Sequence, residues 1–596
     1  MRRLALDLSI LQLGIVLFVA SAILGLRASY DPLLSQVTLI ALFVGGILYF
    51  LMIEFSREIS RARAVTSIGV LVAAGVAVLF IGQWGRAFYT EVPPILHTIG
   101  HLTTFLPSAL DINENGAATL FEMALPLSVA LLMLSDRTRW GWLWFGLALV
   151  MGYALLLTYS RGAWFGLVGA AAFTLILVGF KHNRGRWPLL LVGLIVIIGL
   201  MVVFVLTVNG NNVPFFTQLY AAAQDRLTLY GNSLRLAMDY PFTGIGPGDT
   251  FAMVYSRFSL LIFVPFLTYS HNLWLAIWLG QGLLGLVAFA IMVVFYYVYC
   301  VRVLRRHQPG ALFYGAFAGV TATLLHGLVD ARQYVEGPWA MAALFFGMAI
   351  TVISAEAIRP EFGTRSSKRT WGALLGGVAL IGVVVALAVV FQRPLLTMWY
   401  TNLGALDENR ADATINEHTS AAQRMALRDS AVSWYQQALA LDPQYPNANR
   451  RLGNLALEEQ RYDEAIRHLQ IAVAAEPTYQ ATVKGLGLAY MWAGRMEDAA
   501  RQFAQLADVP EMTEELYSWA QFRVDENQPL LSAYALEAAH LLNPEAEPNL
   551  NVWALIGQRY QLGGDAENAR RWFDAVLAQD SSNIMAQTGM QQLSGG

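Results

Sequence analysis

The sequence predicts an all-α chain in which a polytopic membrane helical bundle precedes a soluble α-solenoid. Three observations predict it. Hydrophobic residues make up 56% of the 596 residues and charged residues only 14%, far from a soluble average. Apolar stretches of about 20 residues, long enough to cross a hydrocarbon core of about 30 Å, recur from the N-terminus to about residue 391. There they stop, and from about residue 427 the chain compares with itself at a fixed offset of 34 residues.

The stretches predict about eleven transmembrane helices, near 8–26, 34–53, 65–82, 115–134, 140–158, 162–180, 188–207, 272–299, 311–329, 338–354 and 371–391. The first follows Met1-Arg2-Arg3 as a signal peptide would, but no small-residue cleavage pattern follows and a second span arrives at once, so it reads as a helix. The expected domains are a membrane domain at 1–392 with a large outer loop at 208–270, a linker at 393–426 and a repeat domain at 427–596.

The net charge of -3 carries no message about nucleic acid. Its distribution does carry one about topology. With a cytoplasmic N-terminus, the inward loops hold the denser basic clusters, such as Arg57, Arg61 and Arg63, or Arg302, Arg305 and Arg306. The positive-inside rule then puts the repeat domain outside the cytoplasm. Cys300 is the single cysteine, so no intrachain disulfide is possible.

In the tail, Leu452-Gly453 recurs as Leu486-Gly487, Ala465 as Ala499 and Pro443 as Pro477. This is the tetratricopeptide period. Residues 511–545 read as a degenerate helical pair, and a further unit ends the chain. Such pairs bury their apolar faces only by stacking, and the concave surface they make suits a protein partner, a brace or a spacer. His418, His468 and His540 show no metal spacing there.

Candidate chemistry gathers at the outer ends of the membrane helices. "TYSRGAW" places Arg161 between two apolar runs, where an arginine snorkels, pairs or meets a ligand; a fixed guanidinium fork suits phosphate. The outer loop carries Arg226 and Arg235 on an amphipathic helix, then the turn Gly244-Ile-Gly-Pro-Gly248, whose Gly246 and Gly248 could aim backbone N–H groups at an anion. "TYSHNLWLAIWLG" sets His271 and Asn272 at the mouth of a span. The histidine is either structural or a general base, and Asn272 either orients it or caps the helix. Gly280, Gly282 and Gly285 then permit close helix packing.

His326 and Asp330 stand one turn apart in "LLHGLVDARQYVEG", as a ligand set, a base pair or a local salt bridge. His97 and His101, with Asp111 and Glu114 nearby, share a helix face as zinc ligands do, yet no H-E-x-x-H and no cysteine accompany them. No metal site is expected.

In that order, "YSRGAWFG", "RLAMDYPFTGIGPGDTF", "SHNLWLAIWLGQGLLGLV" and "HGLVDARQY" resemble the O-antigen ligase superfamily of polytopic bacterial glycosyltransferases, over roughly 110–355. The resemblance implies a GT-C-like membrane domain, without cofactor or metal. It implies transfer of a glycan from an undecaprenyl pyrophosphate carrier to an acceptor hydroxyl, with inversion, on the outer face of the cytoplasmic membrane. Arg161 and Arg235 would hold the pyrophosphate and His271 would deprotonate or orient the hydroxyl. His326 and Asp330 would support them. Within the superfamily the acceptor can be lipid A core, a growing polysaccharide or a protein. A transporter or flippase for lipid-linked saccharides would instead need polar residues along a path through the bilayer, and a scaffold would place its function in the repeats.

Overall fold

The computed structural model describes residues 2–55, 58–84, 112–135, 139–182, 215–261, 267–335, 338–357, 389–413, 420–543 and 549–594. The chain divides into two compact units: Met1–Ala252 with Leu267–Gly382, and Met253–Phe266 with Val383–Gly596.

The first unit is built from α1 (Arg2–Arg27), α2 (Pro32–Phe55), α3 (Ile59–Trp84), α4 (Glu114–Leu134), α5 (Arg139–Leu157), α6 (Arg161–His182), α7 (Phe215–Asp239), α8 (Phe251–Phe258, which runs on into the second unit), α9 (Leu273–Arg306), α10 (Ala311–His326), α11 (Arg332–Val335) and α12 (Pro338–Glu356). Among the described residues, α1 to α5 and α9 are long and apolar enough to cross a membrane, and α6, α10 and α12 contain shorter apolar stretches. Nine of the expected spans therefore coincide with described helices; 188–207 and most of 371–391 lie outside the described residues.

Each of these helices is apolar nearly all round, so packing decides which face turns inward. On α2, Leu33, Val37, Ile40 and Val44 are exposed at three- and four-residue steps, the stripe that lipid would cover. Trp140 and Trp142 stand exposed at the start of α5, where aromatic rings suit a membrane interface. Inside, small residues let backbones meet: a methyl group at Gly25 would lie 2.4 Å from the Gly280 carbonyl oxygen, and one at Gly166 would lie 2.5 Å from that of Ala322. These contacts seat α1 on α9 and α6 on α10, since in lipid close van der Waals packing replaces the hydrophobic effect between helices. Arg302 of α9 donates to the buried Asp7 of α1.

The second unit runs from α13 (Gln392–Asp412) through α14 (Ala421–Leu441), α15 (Pro446–Glu458), α16 (Tyr462–Ala475), α17 (Gln480–Trp492), α18 (Met496–Phe503), α19 (Val509–Asp525), α20 (Pro529–Leu542), α21 (Leu550–Leu562), α22 (Ala566–Gln579) and α23 (Ile584–Ser594). Consecutive helices pack on one another. The 34-residue offset has a backbone cause, because Gln460 and Gly494 both turn the chain through positive φ, at 60° and 77°. It has a packing cause too: a methyl on Gly453 would meet Leu469, and one on Gly487 would meet Phe503. The degenerate stretch 511–545 holds the pair α19 and α20.

The stretch read as a linker, 393–426, contains most of α13, which packs on α14. Glu408 explains why that helix is held. It is buried, accepts from Tyr435 at 2.5 Å and pairs with Arg451 at 3.1 Å. The segment Met253–Phe266, within the stretch read as an outer loop, also belongs to this unit. There Arg257 pairs with Glu458 at 3.1 Å and with Asp412, while Phe258, 1% exposed, lies under the Arg450 guanidinium at 4.3 Å.

Candidate functional site

Three turns and one helix of the first unit meet at the helix ends that carry Ser160, His271 and His326. The turn Thr158–Ser160 joins α5 to α6, with Tyr159 at φ 53°. Arg161 begins α6, is exposed, and its guanidinium lies 5.6 Å from the Tyr159 ring centroid. The turn before α9 carries His271 at φ 50°. A residue other than glycine rarely adopts that conformation, so contacts around the turn must hold it.

The His271 turn is tied down on every side. Asn272 caps α9, its side chain accepting from the Trp274 and Leu275 N–H groups at 3.0 and 3.1 Å, and it donates to the Leu328 carbonyl at 3.0 Å. Of the two roles open to Asn272, capping is the one the geometry gives. Tyr230 of α7 donates to the His271 carbonyl at 2.9 Å, and Arg226 of α7 donates to the Val329 carbonyl. The His271 ring lies 4.3 Å from that of Tyr269, whose hydroxyl accepts from the Arg332 side chain at 2.6 Å.

His326 and Asp330 do not pair with each other through their side chains. Asp330 Oδ2 faces His271 Nδ1 at 3.7 Å, an ion-pair separation too long for a direct hydrogen bond. Burial alone would push the Asp330 carboxyl up, but the His271 ring, the nearby His326 and the Arg332 N–H outweigh it and hold it below its ordinary value. His326 points the other way. Its Nδ1 lies 3.2 Å from Glu122 Oε2, and its Nε2 lies 3.4 Å from Ser160 Oγ. Glu122 and His326 are 0% and 1% exposed.

The glycine-rich turn takes another path. Gly244, Gly246 and Gly248 all have positive φ, and a methyl on Gly246 would lie 2.4 Å from Ser29 Oγ. Two of the turn's N–H groups are engaged inside the unit, Gly244 with the Tyr240 carbonyl at 3.0 Å and Ile245 with that of Leu279 at 2.6 Å. The turn borders a small cleft that Gly246 and Gly248 share with Tyr269 and Ser270, so it adjoins the histidine turn. Opposite it, α9 is broken: Gly282 sits at φ 68°, Leu283 donates to the Pro241 carbonyl, and Trp278 donates to the same oxygen at 3.1 Å. Irregular backbone at membrane depth survives where protein buries it. The glycines of "GQG" thus do more than allow close packing, and Gln281 between them accepts from Ser21 at 2.5 Å and donates to Tyr334 at 2.9 Å.

The structure therefore brings Ser160, Gly162, His271, Asn272, His326 and Asp330 into one connected set, with Gly246 and Gly248 on an adjoining cleft. Arg235 is half-buried on α7, the helix that also carries Tyr230. His97, His101 and Asp111 lie outside the described residues, and Glu114 begins α4. Sequence reasoning missed Glu122 and Tyr230. A lone acid in "LFEMALPL" was the available signal for the first; nothing local marks the second.

Residues 146–290 match the family model described as O-Antigen ligase, and residues 456–511 match that described as Tetratricopeptide repeat. No curated protein matches the chain. Among solved structures, the chain is similar to the "Crystal structure of MamA protein", at 17% identity over 31% of this chain and 92% of that one, with a TM-score of 0.19, too low to show a shared fold. The matched ligase segment contains Arg161, Arg235 and His271, while Glu122, His326 and Asp330 fall outside it. The chain thus joins an O-antigen ligase domain, of the membrane glycan-transfer kind, to tetratricopeptide repeats.

Proposed function

We propose that the chain transfers a glycan from an undecaprenyl pyrophosphate-linked donor to an acceptor hydroxyl, with inversion and without a metal, on the outer face of the cytoplasmic membrane. The observation that carries the reading is His271, held in a strained turn with Nδ1 toward Asp330. The turn joining α5 and α6, which bears Arg161, is connected to it through His326.

That arrangement suits a direct displacement. The acceptor oxygen attacks the anomeric carbon, and the bond from that carbon to the pyrophosphate oxygen breaks with its electron pair. Arg161 and Arg235 stabilise the negative charge gathering on the leaving pyrophosphate through charge-assisted hydrogen bonds. The hydroxyl proton passes to His271 Nε2, the nitrogen turned away from Asp330, and Asp330 stabilises the imidazolium that results. Gly246 and Gly248, seated closely on Ser29 and Thr38, hold the backbone of their turn at the cleft where the donor would lie. A lipid-tailed donor also accounts for a base at the mouth of α9: the prenyl chain lies among the helices and the sugars project into water. The basic inward loops support an outward site with the repeats on the same side.

The test is transfer by purified protein in lipid, supplied with undecaprenyl pyrophosphate-linked oligosaccharide, EDTA, and separate lipid A core, glycan and protein acceptors. Product with inverted linkage to one acceptor class is expected, and that acceptor names the branch. Absence of product with every acceptor, alongside movement of the lipid-linked glycan across the bilayer, would replace this reading with a transporter.

A further inference from the structure

Glu122 belongs to none of the motifs above. It lies in the apolar helix α4 and is 0% exposed. A carboxyl at such a site is costly unless a partner offsets it, and its partner is His326, 204 residues away, at 3.2 and 3.3 Å from the two carboxylate oxygens.

His326 touches both halves of the candidate site. On one side its Nε2 reaches Ser160 Oγ at 3.4 Å, and its ring closes on Gly162, where a methyl group would lie 2.5 Å from Cδ2. Those two residues bracket Arg161. On the other side its backbone carbonyl accepts from the Val329 and Asp330 N–H groups at 3.0 and 3.1 Å, which shapes the turn that presents Asp330 to His271. The hydrogen bond at one imidazole nitrogen sets what the other can do. With Nδ1–H given to Glu122, Nε2 is left to accept the Ser160 hydroxyl.

We propose that Glu122 and His326 form a buried positioning pair that fixes the spacing between the arginine turn and the His271–Asp330 turn. Neither residue touches substrate in this account. The inference rests on the transfer reading above for its kinetic consequence but not for its structural one. Arg161 is exposed and its long side chain can still find a pyrophosphate when its turn shifts; the angle between acceptor and anomeric carbon has no such tolerance, and misplacement of about 1 Å costs about a hundredfold in rate.

The experiment uses the full chain in lipid nanodiscs, comparing wild type, Glu122→Gln, His326→Gln and the double variant. Glu122→Gln keeps volume and an acceptor while removing the charge. Transfer is expected to fall about ten- to a hundredfold in kcat with donor KM within about threefold, and the double variant is expected to be no worse than the worse single, as for residues acting as one unit. Hydrogen exchange is expected to rise in both 156–162 and 326–332 in each single variant, with the repeats unchanged. Additive kinetic losses, or unchanged exchange in both segments of folded variants, would overturn the proposal. If the wild type transfers nothing, the transfer reading fails, and the exchange measurement still decides the positioning role.

Discussion

Both units bury charge, but they do it differently. In the repeat unit, Glu408 sits among Arg451, Arg257 and the Tyr435 hydroxyl, so one carboxylate is neutralised several times over and the cluster binds α13, α14, α15 and the 253–266 segment together. In the membrane unit, Glu122 has His326, and His326 is shared with the Ser160 turn. The first arrangement is redundant and serves cohesion. The second is minimal and directional, as a site must be when the geometry of a few atoms matters more than total stability. Charge changes in the membrane unit are therefore expected to alter rate before stability, and those in the repeat unit to alter stability.

The largest expected effect comes from Gly162→Val. A side chain there meets the His326 ring at 2.5 Å, and transfer in lipid is expected to fall by more than about a hundredfold, a misplacement effect. Folded but fully active protein would break the comparison. Next comes Glu408→Ala, which leaves Arg451 buried without its carboxylate. Breaking such a pair typically costs about 3–5 kcal/mol, and denaturant unfolding followed by far-ultraviolet circular dichroism should show the repeat transition moving to lower denaturant. Loss of transfer without that shift would reverse the assignment of roles.

A smaller effect separates the units by pH. Burial pushes the Glu408 carboxyl up, but Arg451, Arg257 and the Tyr435 hydroxyl outweigh it and hold it below the ordinary glutamate range. A depressed folded value means the contribution is full above the unfolded pKa and is lost as pH falls through the folded one. Acid titration of the wild type should destabilise the repeats across that window, and Glu408→Gln should flatten the response. The smallest effect is Asn272→Ala, which removes the α9 cap and is expected to cost about 1 kcal/mol, read as a lower thermal midpoint.

The sequence made the repeats legible because their signals are periodic. Gly453 and Gly487 meet large partners at equal spacing, and any 34-residue comparison finds them. The membrane spans were legible for a similar reason, since composition alone marks them. Arg161 and His271 stood out because charged and titratable residues beside apolar spans are rare, and the glycine turn because closely spaced glycines mark turns. What stayed hidden was partnership. His326 and Asp330, four apart in sequence, invite pairing with each other, yet the helix end turns one toward Glu122 and the other toward His271. The 393–426 stretch read as a linker because its composition is polar; α13 instead hides Glu408 through contacts from distant segments. Gly282 gave no local sign that α9 breaks there. Each depends on long-range packing, which no local pattern contains.

The central claim is that the connected turns around His271 carry out transfer while the protein's stability resides elsewhere. Single-turnover transfer in nanodiscs, with donor binding measured in parallel, tests it directly for wild type and His271→Ala. The account predicts a rate at least about a hundredfold lower in the variant, with donor affinity within about threefold and an unchanged unfolding midpoint. Equal rates in two folded proteins would contradict it.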